Sequence, residues 1–248
     1  MLANRYIINE SDKCIYSKVQ NGKGVMICLY VDDMLIFGTS TNEVEETKAF
    51  LSKKFDMKDL GEADVILGIK IIRDGNHIGS SQSHYIEKVL QKFNHLDFKP
   101  ISTPFDQSVS LQLNKGCPVA QLEYAKVIGC LMYAMTCTRP DIAYVIGRLS
   151  QYTSNRSEEH WHVVKRVLKY LKGTMNYYLT YSGDPSVLEG YTDASWVTYV
   201  EDHASTSGWI FNLGGGAVSW RSKKHTCIAD STMAAEFIAL AAGSKEAE

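Results

Sequence analysis

The sequence predicts an α+β protein in which antiparallel strands and helices occupy separate stretches of the chain. An apolar run over 25–37, VMICLYVDDMLIF, is interrupted only by two aspartates, which is typical of a β-hairpin. A long segment over 123–181 has the apolar spacing of amphipathic helices. Strand and turn signals return from Leu188, and a last helix is predicted from about Ser231.

Composition indicates an ordinary globular protein. The 248 residues suffice for one large or two small domains, with 45% hydrophobic and 22% charged residues. Because the net charge is only −2, any surface that binds nucleic acid must be local. No signal-peptide pattern, membrane-length apolar run or CxxC pair is found, so the sequence predicts an intracellular, soluble protein, cytoplasmic or also nuclear, with no membrane partner. The cysteines predicted to be reduced thiols are Cys14, Cys28, Cys117, Cys130, Cys137 and Cys227.

Two adjacent carboxylates, Asp32 and Asp33, lie at the predicted hairpin turn without a basic residue in the run. Two neighbouring anions repel each other, and desolvating them is costly unless cations, donors or water compensate. Mg²⁺ suits this arrangement, because it binds a few carboxylates and keeps positions for water and phosphate oxygens. Aspartate is also common in turns, so two acids that simply face solvent are the alternative.

The elements after this hairpin follow from local patterns. A helix is predicted around 42–54, a second hairpin over 65–80 with an Asp-Gly-Asn turn, and a helix around 83–93. These complete a β-rich first unit, 1–96. Three of the five prolines fall in the polar segment 97–122, which is predicted to be a linker.

The helical segment 123–181 is predicted to contain three helices. The third has the clearest start, because Ser157 can cap it and two glutamates follow in its first turn. Three lysines, Lys165, Lys169 and Lys172, lie on one of its faces at 4-3 spacing. They indicate either a solvated face near the negative end of the helix dipole or a face that contacts phosphates.

The last unit, 187–248, carries a second pair of candidate acids. Asp193 lies near the end of a predicted strand, and Glu236 is the only polar side chain in MAAEFIALAA, 233–242. A strand-end turn acid and a helix-flank acid are the alternative interpretations. The larger apolar side chains of this helix are predicted to face the sheet; they are Met233, Phe237 and Leu240.

The hairpin resembles the aromatic-x-Asp-Asp signature of reverse transcriptases at Tyr30-Val31-Asp32-Asp33. With its flanks LYVDDMLIFG and FLSKKFDMKDLGEADVILGIKI, the chain is similar to the copia-type branch of LTR retrotransposon Pol polyproteins over nearly its whole length. The resemblance implies a partial reverse transcriptase palm at 1–96 and a helical thumb and connection at 123–181. It also implies that Asp32 and Asp33 are catalytic, metal-binding residues.

The last unit resembles the start of a ribonuclease H domain. GYTDASW is similar to the first catalytic strand, TSGWIFNLGGGAVSWRSKK to the next hairpin, and STMAAEFIAL to the helix with the catalytic glutamate. This implies a truncated α/β unit in which Asp193 and Glu236 are catalytic and bind metal. Ser195 and Ala234 stand where many family members have acids. Two hairpin lysines join the candidate nucleic-acid contacts; they are Lys223 and Lys224.

The resemblance implies RNA-directed DNA synthesis and cleavage of RNA in hybrids by two-metal chemistry with Mg²⁺. The implied partners are a template–primer, an RNA–DNA hybrid and the rest of the polyprotein. Only 29 residues precede Tyr30 and 12 follow Glu236, so both metal sites are expected to lack ligands. We therefore expect a fragment that is inactive alone, which leaves its standing as an enzyme open.

Two other functions compete with this interpretation. The first is a nucleic-acid-binding or host-adopted interaction protein without catalysis, derived from the same ancestor. The second, less favoured, is a secreted effector, because Arg166-Val167-Leu168-Lys169 approaches an RxLR motif. The final lysine, the position in an amphipathic helix and the missing signal pattern argue against it.

Overall fold

The computed structural model describes residues 4–109, 111–116, 121–199 and 202–248. The chain divides into two compact units, Met1–Glu62 and Ala63–Glu248. Strands form three antiparallel sheets and helices occupy other segments, so the α+β prediction is confirmed. Of the residues predicted to form the linker, Ser110 and residues 117–120 lie outside the described ranges.

The first unit is a four-stranded antiparallel sheet with one helix. The helix packs on the third and fourth strands, and its Leu51 joins Tyr6, Val25 and Ile27 in a small core. Other apolar side chains of the sheet, such as those of Met26 and Phe37, stay exposed. The sheet order is β1-β2-β3-β4. The elements are β1 (Ile7–Ile8), β2 (Ile15–Gln20), β3 (Lys23–Tyr30), β4 (Asp33–Gly38) and α1 (Thr41–Ser52).

The second unit begins with the predicted second hairpin, which is confirmed. Its turn contains Gly75, whose φ of 57° is a conformation that glycine adopts without strain. The sheet is completed by a strand from much later in the chain, which pairs Tyr181 with Ile78. In the structure this hairpin therefore packs in the second unit, whereas the boundaries at 96 and 122 remain predictions about ancestry. The strands are β5 (Val65–Ile66), β6 (Ile69–Asp74), β7 (His77–Ser81) and β8 (Tyr178–Tyr181).

Four helices enclose the main hydrophobic core of the chain. Leu90, Leu131, Ile146 and Leu168, one from each helix, are fully buried in it. Ser157 caps the fourth helix in a reciprocal box with the side chain of His160. The helices are α2 (Ser83–Lys92), α3 (Gln121–Cys137), α4 (Ala143–Ser150) and α5 (Glu158–Gly173), with a 3-10 turn at Pro140–Ile142 before α4.

A buried arginine fixes the junction between these helices. Arg139, 1% exposed, donates from Nη2 to Asp141 at 2.6 Å and from Nη1 to the carbonyl of Thr174 at 3.1 Å. The Tyr170 hydroxyl also donates to Asp141, at 2.7 Å. Burial alone would raise the pKa of Asp141, but its bonds to Arg139 and Tyr170 hold that pKa below the ordinary value. Burial, reinforced by Asp141, raises the pKa of Tyr170 to about 12.

The chain ends in a three-stranded sheet with a helix on one face, which we call the terminal sheet. Its order is β11-β10-β9, so β9 is an edge strand. The helix packs on β9 and β10, and the Ser231 side chain caps it by accepting from the backbone N–H of Ala234 at 3.1 Å. The elements are β9 (Glu189–Tyr199), β10 (Ala204–Leu213), β11 (Gly216–Lys224) and α6 (Thr232–Ala247).

The rotation predicted for α6 is wrong. Its buried residues are Ala235, Ala239 and Gly243, spaced four apart. A Cβ at Gly243 would lie 2.5 Å from Cγ2 of Thr192, so only glycine allows this approach. The predicted inward-facing residues are exposed instead: Met233 (68%), Phe237 (63%) and Leu240 (51%). The space between α6 and the sheet is filled by large side chains of β10, Trp209 and Phe211, so the helix can place only small residues there.

Candidate active sites

The first candidate site is the tip of the β3–β4 hairpin. Tyr30 pairs with Asp33, so Val31 and Asp32 form a two-residue turn. Asp32 and Asp33 are both exposed. The predicted hairpin with acids at its turn is therefore confirmed, and the metal-binding role of the acids remains a prediction.

The turn holds Val31 in an unfavourable conformation. Its φ is 50°, a value that β-branched residues rarely adopt, and its side chain is 89% exposed. Such a residue costs about 1–3 kcal/mol, and no buried contact of its own side chain offsets that cost. Strained positions of this kind cluster at functional sites.

A third acid, Asp12, lies at the same end of the sheet. The backbone N–H of Leu29, next to the turn, donates to the carbonyl of Cys14 at 2.9 Å, which brings the β1–β2 loop beside β3. Burial and then the charge of Asp12 raise the pKa of the Cys28 thiol. Asp12 already accepts from the N–H of Cys14 at 2.9 Å. Within the described residues, no three His, Cys, Asp or Glu side chains are placed to hold one ion.

The second pair of acids lies on two elements that pack together. Asp193, on β9, is opposite Gly208 of β10 and is exposed. Glu236 is exposed on the flank of α6, next to the buried Ala235.

The two carboxylates do not share a face of the terminal sheet. The side chain of Thr192 meets α6 at Gly243, and successive residues of a strand point to opposite faces. Asp193 therefore points away from α6, toward the face that packs on the segment 140–144. The structure brings the acid-bearing elements together but leaves the acids on different sides.

The side of the terminal sheet that bears Asp193 forms a groove that sequence patterns did not reveal. Its volume is about 280 Å³, and it is lined by Tyr144, Tyr191, Asp193, Ile210, Trp220 and Ser222, among others. Only the strand register places these residues side by side. The alternation Tyr191-Thr192-Asp193 was the available signal.

The three lysines of α5 have different surroundings. Lys165 is exposed. Lys169 lies over the ring of Phe98, with 5.3 Å from Nζ to the ring centroid, and Lys172 donates to the carbonyl of Phe98 at 2.8 Å. Two of the three are therefore engaged by the polypeptide itself. A second groove, of about 580 Å³, runs beside α5 and includes Lys165, Lys169 and Arg166.

The two lysines of β11 also differ. Lys223 is exposed, and Lys224 is half-buried. Lys224 pairs with Asp202 and lies 4.4 Å from the ring centroid of Tyr199. Being successive strand residues, they point to opposite faces and do not form one patch.

The segment that resembles an RxLR motif is part of the core. Val167 and Leu168 are fully buried in α5. A receptor could not contact these two side chains unless the helix left the core.

The chain is similar to known proteins both in its first part and over almost its whole length. Residues 2–107 match the model of the reverse transcriptase (RNA-dependent DNA polymerase) family. The chain is 42% identical, over 99% of its length, to the retrovirus-related Pol polyprotein from transposon TNT 1-94 of Nicotiana tabacum. It is 36% identical, again over 99%, to the Pol polyprotein from transposon RE1 of Arabidopsis thaliana. The chain belongs to the copia-type retrotransposon Pol polyprotein family.

The extent of these matches differs between relatives. The chain spans 19% of the tobacco polyprotein and 17% of the Arabidopsis one. It is also 45% identical to the secreted RxLR effector protein 161 of Plasmopara viticola, over 50% of this chain and 88% of that protein. Solved structures yielded no match. A helix of sufficient length and apolarity to cross a membrane is not found in the described ranges.

Proposed function

We propose that the chain is the part of a retrotransposon reverse transcriptase that bears its paired catalytic aspartates, followed by the thumb and connection and the start of ribonuclease H. The observation that carries the proposal is the exposed position of Asp32 and Asp33 at a strained two-residue turn. The corresponding domains are 1–96, 123–181 and 187–248, and the linker 97–122 joins the first to the second.

The donor set at the hairpin tip fits a divalent ion. Two exposed carboxylates supply hard oxygen ligands, and Mg²⁺ is the ion we propose for Asp32 and Asp33. When bound, the ion would stabilise charge on the phosphate oxygens during nucleotide transfer. Because no third ligand converges in the described residues, binding by these two alone is expected to be weak. We therefore expect the 248-residue polypeptide to lack polymerase activity by itself.

Primer extension tests this proposal. The chain is assayed alone and fused to the preceding segment of the tobacco relative, on a primed RNA template with Mg²⁺. Extension is expected only from the fusion and is lost on Asp32→Asn, because a carboxylate ligand is removed. Asp56→Asn, at an exposed position of the same unit, is the matched control. Extension that survives Asp32→Asn would contradict the assignment.

For the last unit we propose ribonuclease H ancestry, with Asp193 and Glu236 as metal-binding acids. The order strand, hairpin, helix, with one acid on the first strand and one on the helix, supports it. Since these acids lie on different faces of the sheet, we propose that α6 shifts, or that further residues join, before one ion binds both. Mg²⁺-dependent cleavage of RNA in a hybrid, assayed in a polypeptide extended downstream, is expected to be lost with Glu236→Gln and retained with Glu248→Gln.

A nucleic-acid-binding protein without catalysis is the second candidate, favoured by the exposed cations Lys165 and Lys223. Binding to an RNA–DNA hybrid that weakens with salt, without turnover in the extended polypeptides, would support it. Lys165→Gln should reduce the salt dependence, because one phosphate contact is lost. Lys172→Gln should matter less, since Lys172 bonds to Phe98.

We also propose an intracellular location. The five cysteines in the described ranges are free thiols, as expected in a reducing compartment. Fractionation of cells that express the tagged chain tests this, and recovery from the medium would contradict it.

A further inference from the structure

The face of the terminal sheet that points away from α6 carries two parallel rows of side chains. The register aligns Asp193 with Gly208 and Gly208 with Ser222. The neighbouring row runs from Tyr191 through Ile210 to Trp220. A polar row with an acid at one end therefore lies beside an aromatic row with a tyrosine at the same end.

The polar row has free space at its middle position, Gly208. A Cβ added at Gly208 would meet only the carbonyl of Arg221, at 3.7 Å, so steric crowding is not what requires glycine there. Its missing side chain leaves space between Asp193 and Ser222. Adjacent strands lie about 4.8 Å apart, so the outer two backbones of this row are about 9.6 Å apart. The rows themselves are separated by about 6.7 Å along the strands.

The aromatic row offers a ring to solvent. Tyr191 lines the groove and is 56% exposed. The indole N–H of Trp220 donates to the carbonyl of Met135 at 2.9 Å, which fixes the orientation of its ring. Tyr144, the second residue of α4, forms the opposite wall of the groove. Its ring makes an edge-to-face contact with the ring of Phe105.

We propose that this groove binds an unpaired guanine base of single-stranded nucleic acid. The base stacks on Tyr191 beside Trp220, as bases do on aromatic side chains of single-strand-binding proteins. With no metal ion on Asp193, its carboxylate accepts from N1–H and the exocyclic amine of guanine, two adjacent donors that match its two oxygens. The groove of about 280 Å³ accommodates one base.

The acid decides which base is bound. Adenine, cytosine and uracil each offer a single donor group next to an acceptor on the pairing edge, and that acceptor repels a carboxylate. The choice of nucleic acid as ligand rests on the proposed function. Base binding itself needs no metal ion, so it is measured in EDTA and fails or succeeds independently of both activity assays.

The test uses the full chain and two labelled hexanucleotides, TTTGTT and TTTATT, with fluorescence anisotropy in EDTA. The guanine oligonucleotide is expected to bind at least about tenfold more tightly. Tyr191→Ala should weaken binding of both by about tenfold or more, since stacking is lost. Tyr191→Phe should bind like the parent chain, because the ring remains. Tyr178→Ala, which removes an exposed tyrosine outside the groove, is the matched control.

Two further variants separate the contributions. Asp193→Asn should abolish the preference for guanine while retaining stacking. Gly208→Val should fill the space between Asp193 and Ser222 and weaken the binding of both oligonucleotides. The far-ultraviolet spectrum and urea midpoint of each variant verify folding. Equal binding of the two oligonucleotides by the parent chain, or unchanged binding by a folded Tyr191→Ala, would overturn the proposal. So would Tyr191-dependent binding of tetramethylammonium without oligonucleotide binding, which would show a site for organic cations.

Discussion

The two compact units of this chain build their cores in different ways. The first, Met1–Glu62, has a buried cluster of Tyr6, Val25, Ile27 and Leu51, to which one helix contributes. The second, Ala63–Glu248, surrounds a large apolar core with four helices and adds, at their junction, an ion pair between the buried Arg139 and the partly exposed Asp141. Small units bury a smaller fraction of their surface and are less stable for that reason.

The difference extends to the acids. In the first unit the acids stand at the tip of a hairpin whose two strands are mostly apolar. In the terminal sheet, Asp193 lies within a face that also carries aromatic rings. A site at a hairpin tip therefore depends on local turn chemistry, whereas a site on a sheet face depends on the register between distant strands.

The largest expected effect tests the ion pair that the buried Arg139 forms in the second unit. Arg139→Met should lower the free energy of unfolding by about 3–4 kcal/mol, because the buried carbonyl and hydroxyl of Thr174 lose their donor and the partly exposed Asp141 loses its cation. Urea unfolding followed by tryptophan fluorescence measures it, since all four tryptophans lie in this unit. Arg73→Met, at an exposed pair, should cost less than about 1 kcal/mol.

The pH dependence of this pair follows from the same bonds. The folded-state pKa of Asp141 is lower than its unfolded value of 3.8. Its contribution to stability is therefore complete well above that value and is lost as the pH falls through the folded-state pKa. A parent chain and an Arg139→Met variant that lose stability identically between about pH 5 and pH 2 would contradict this.

Matched core truncations sharpen the comparison between units. Leu51→Ala and Leu131→Ala both remove a fully buried side chain, and each should cost about 3 kcal/mol. The same loss should unfold the smaller core but only weaken the larger one. Hydrogen exchange of the β3 amides is expected to become fast in the first variant. Tryptophan fluorescence should show a lowered urea midpoint, with a folded baseline, in the second.

Two helical glycines of the second unit differ in the space around them: Gly243 in α6 and Gly129 in α3. Gly243→Ala should cost about 1–3 kcal/mol, because the new Cβ would meet Thr192 at 2.5 Å. Gly129→Ala in α3 has open space and should gain up to about 1 kcal/mol from helix propensity. Urea midpoints measure both, and a gain at both positions would show that α6 does not pack closely on β9.

The smallest effect concerns the strained turn of the first unit. Val31→Gly should stabilise the hairpin by about 0.5–1 kcal/mol, since relief of a positive φ exceeds the added freedom of the unfolded chain. Val31→Ala keeps a Cβ and should gain little. Hydrogen exchange of the Asp33 amide reports the change, and faster exchange in the glycine variant would argue that Val31 is not strained.

Local patterns predicted the local structure of this chain well. The hairpin of Asp32 and Asp33, the second hairpin and the cap at Ser157 depend on a few consecutive residues, and the structure has all three. The pairing of β8 with β7 joins residues far apart in sequence, and no pattern indicated it.

The candidate sites show the same division. The rotation of α6 was mispredicted because the volume that fills its interface with the sheet comes from Trp209 and Phe211 on another element. Lys169 and Lys172 were predicted as a set with Lys165, yet both contact Phe98, which lies between α2 and α3. The sequence gives the type of side chain at each position. Which residue contacts that side chain is decided by tertiary packing.

The irregular end of β9 bears on how the protein behaves at high concentration. As an edge strand of the terminal sheet, β9 offers unpaired backbone donors and acceptors to other copies, which is a common route to aggregation. Between Ser195 and Tyr199 the register with β10 shifts, Val197 takes a φ of 48°, and its N–H donates to the side chain of Ser205 at 3.1 Å. This bulge breaks the flat ladder and shortens the stretch on which a second strand could dock. A variant that removes the bulge is therefore expected to be less soluble even where its free energy of unfolding is unchanged.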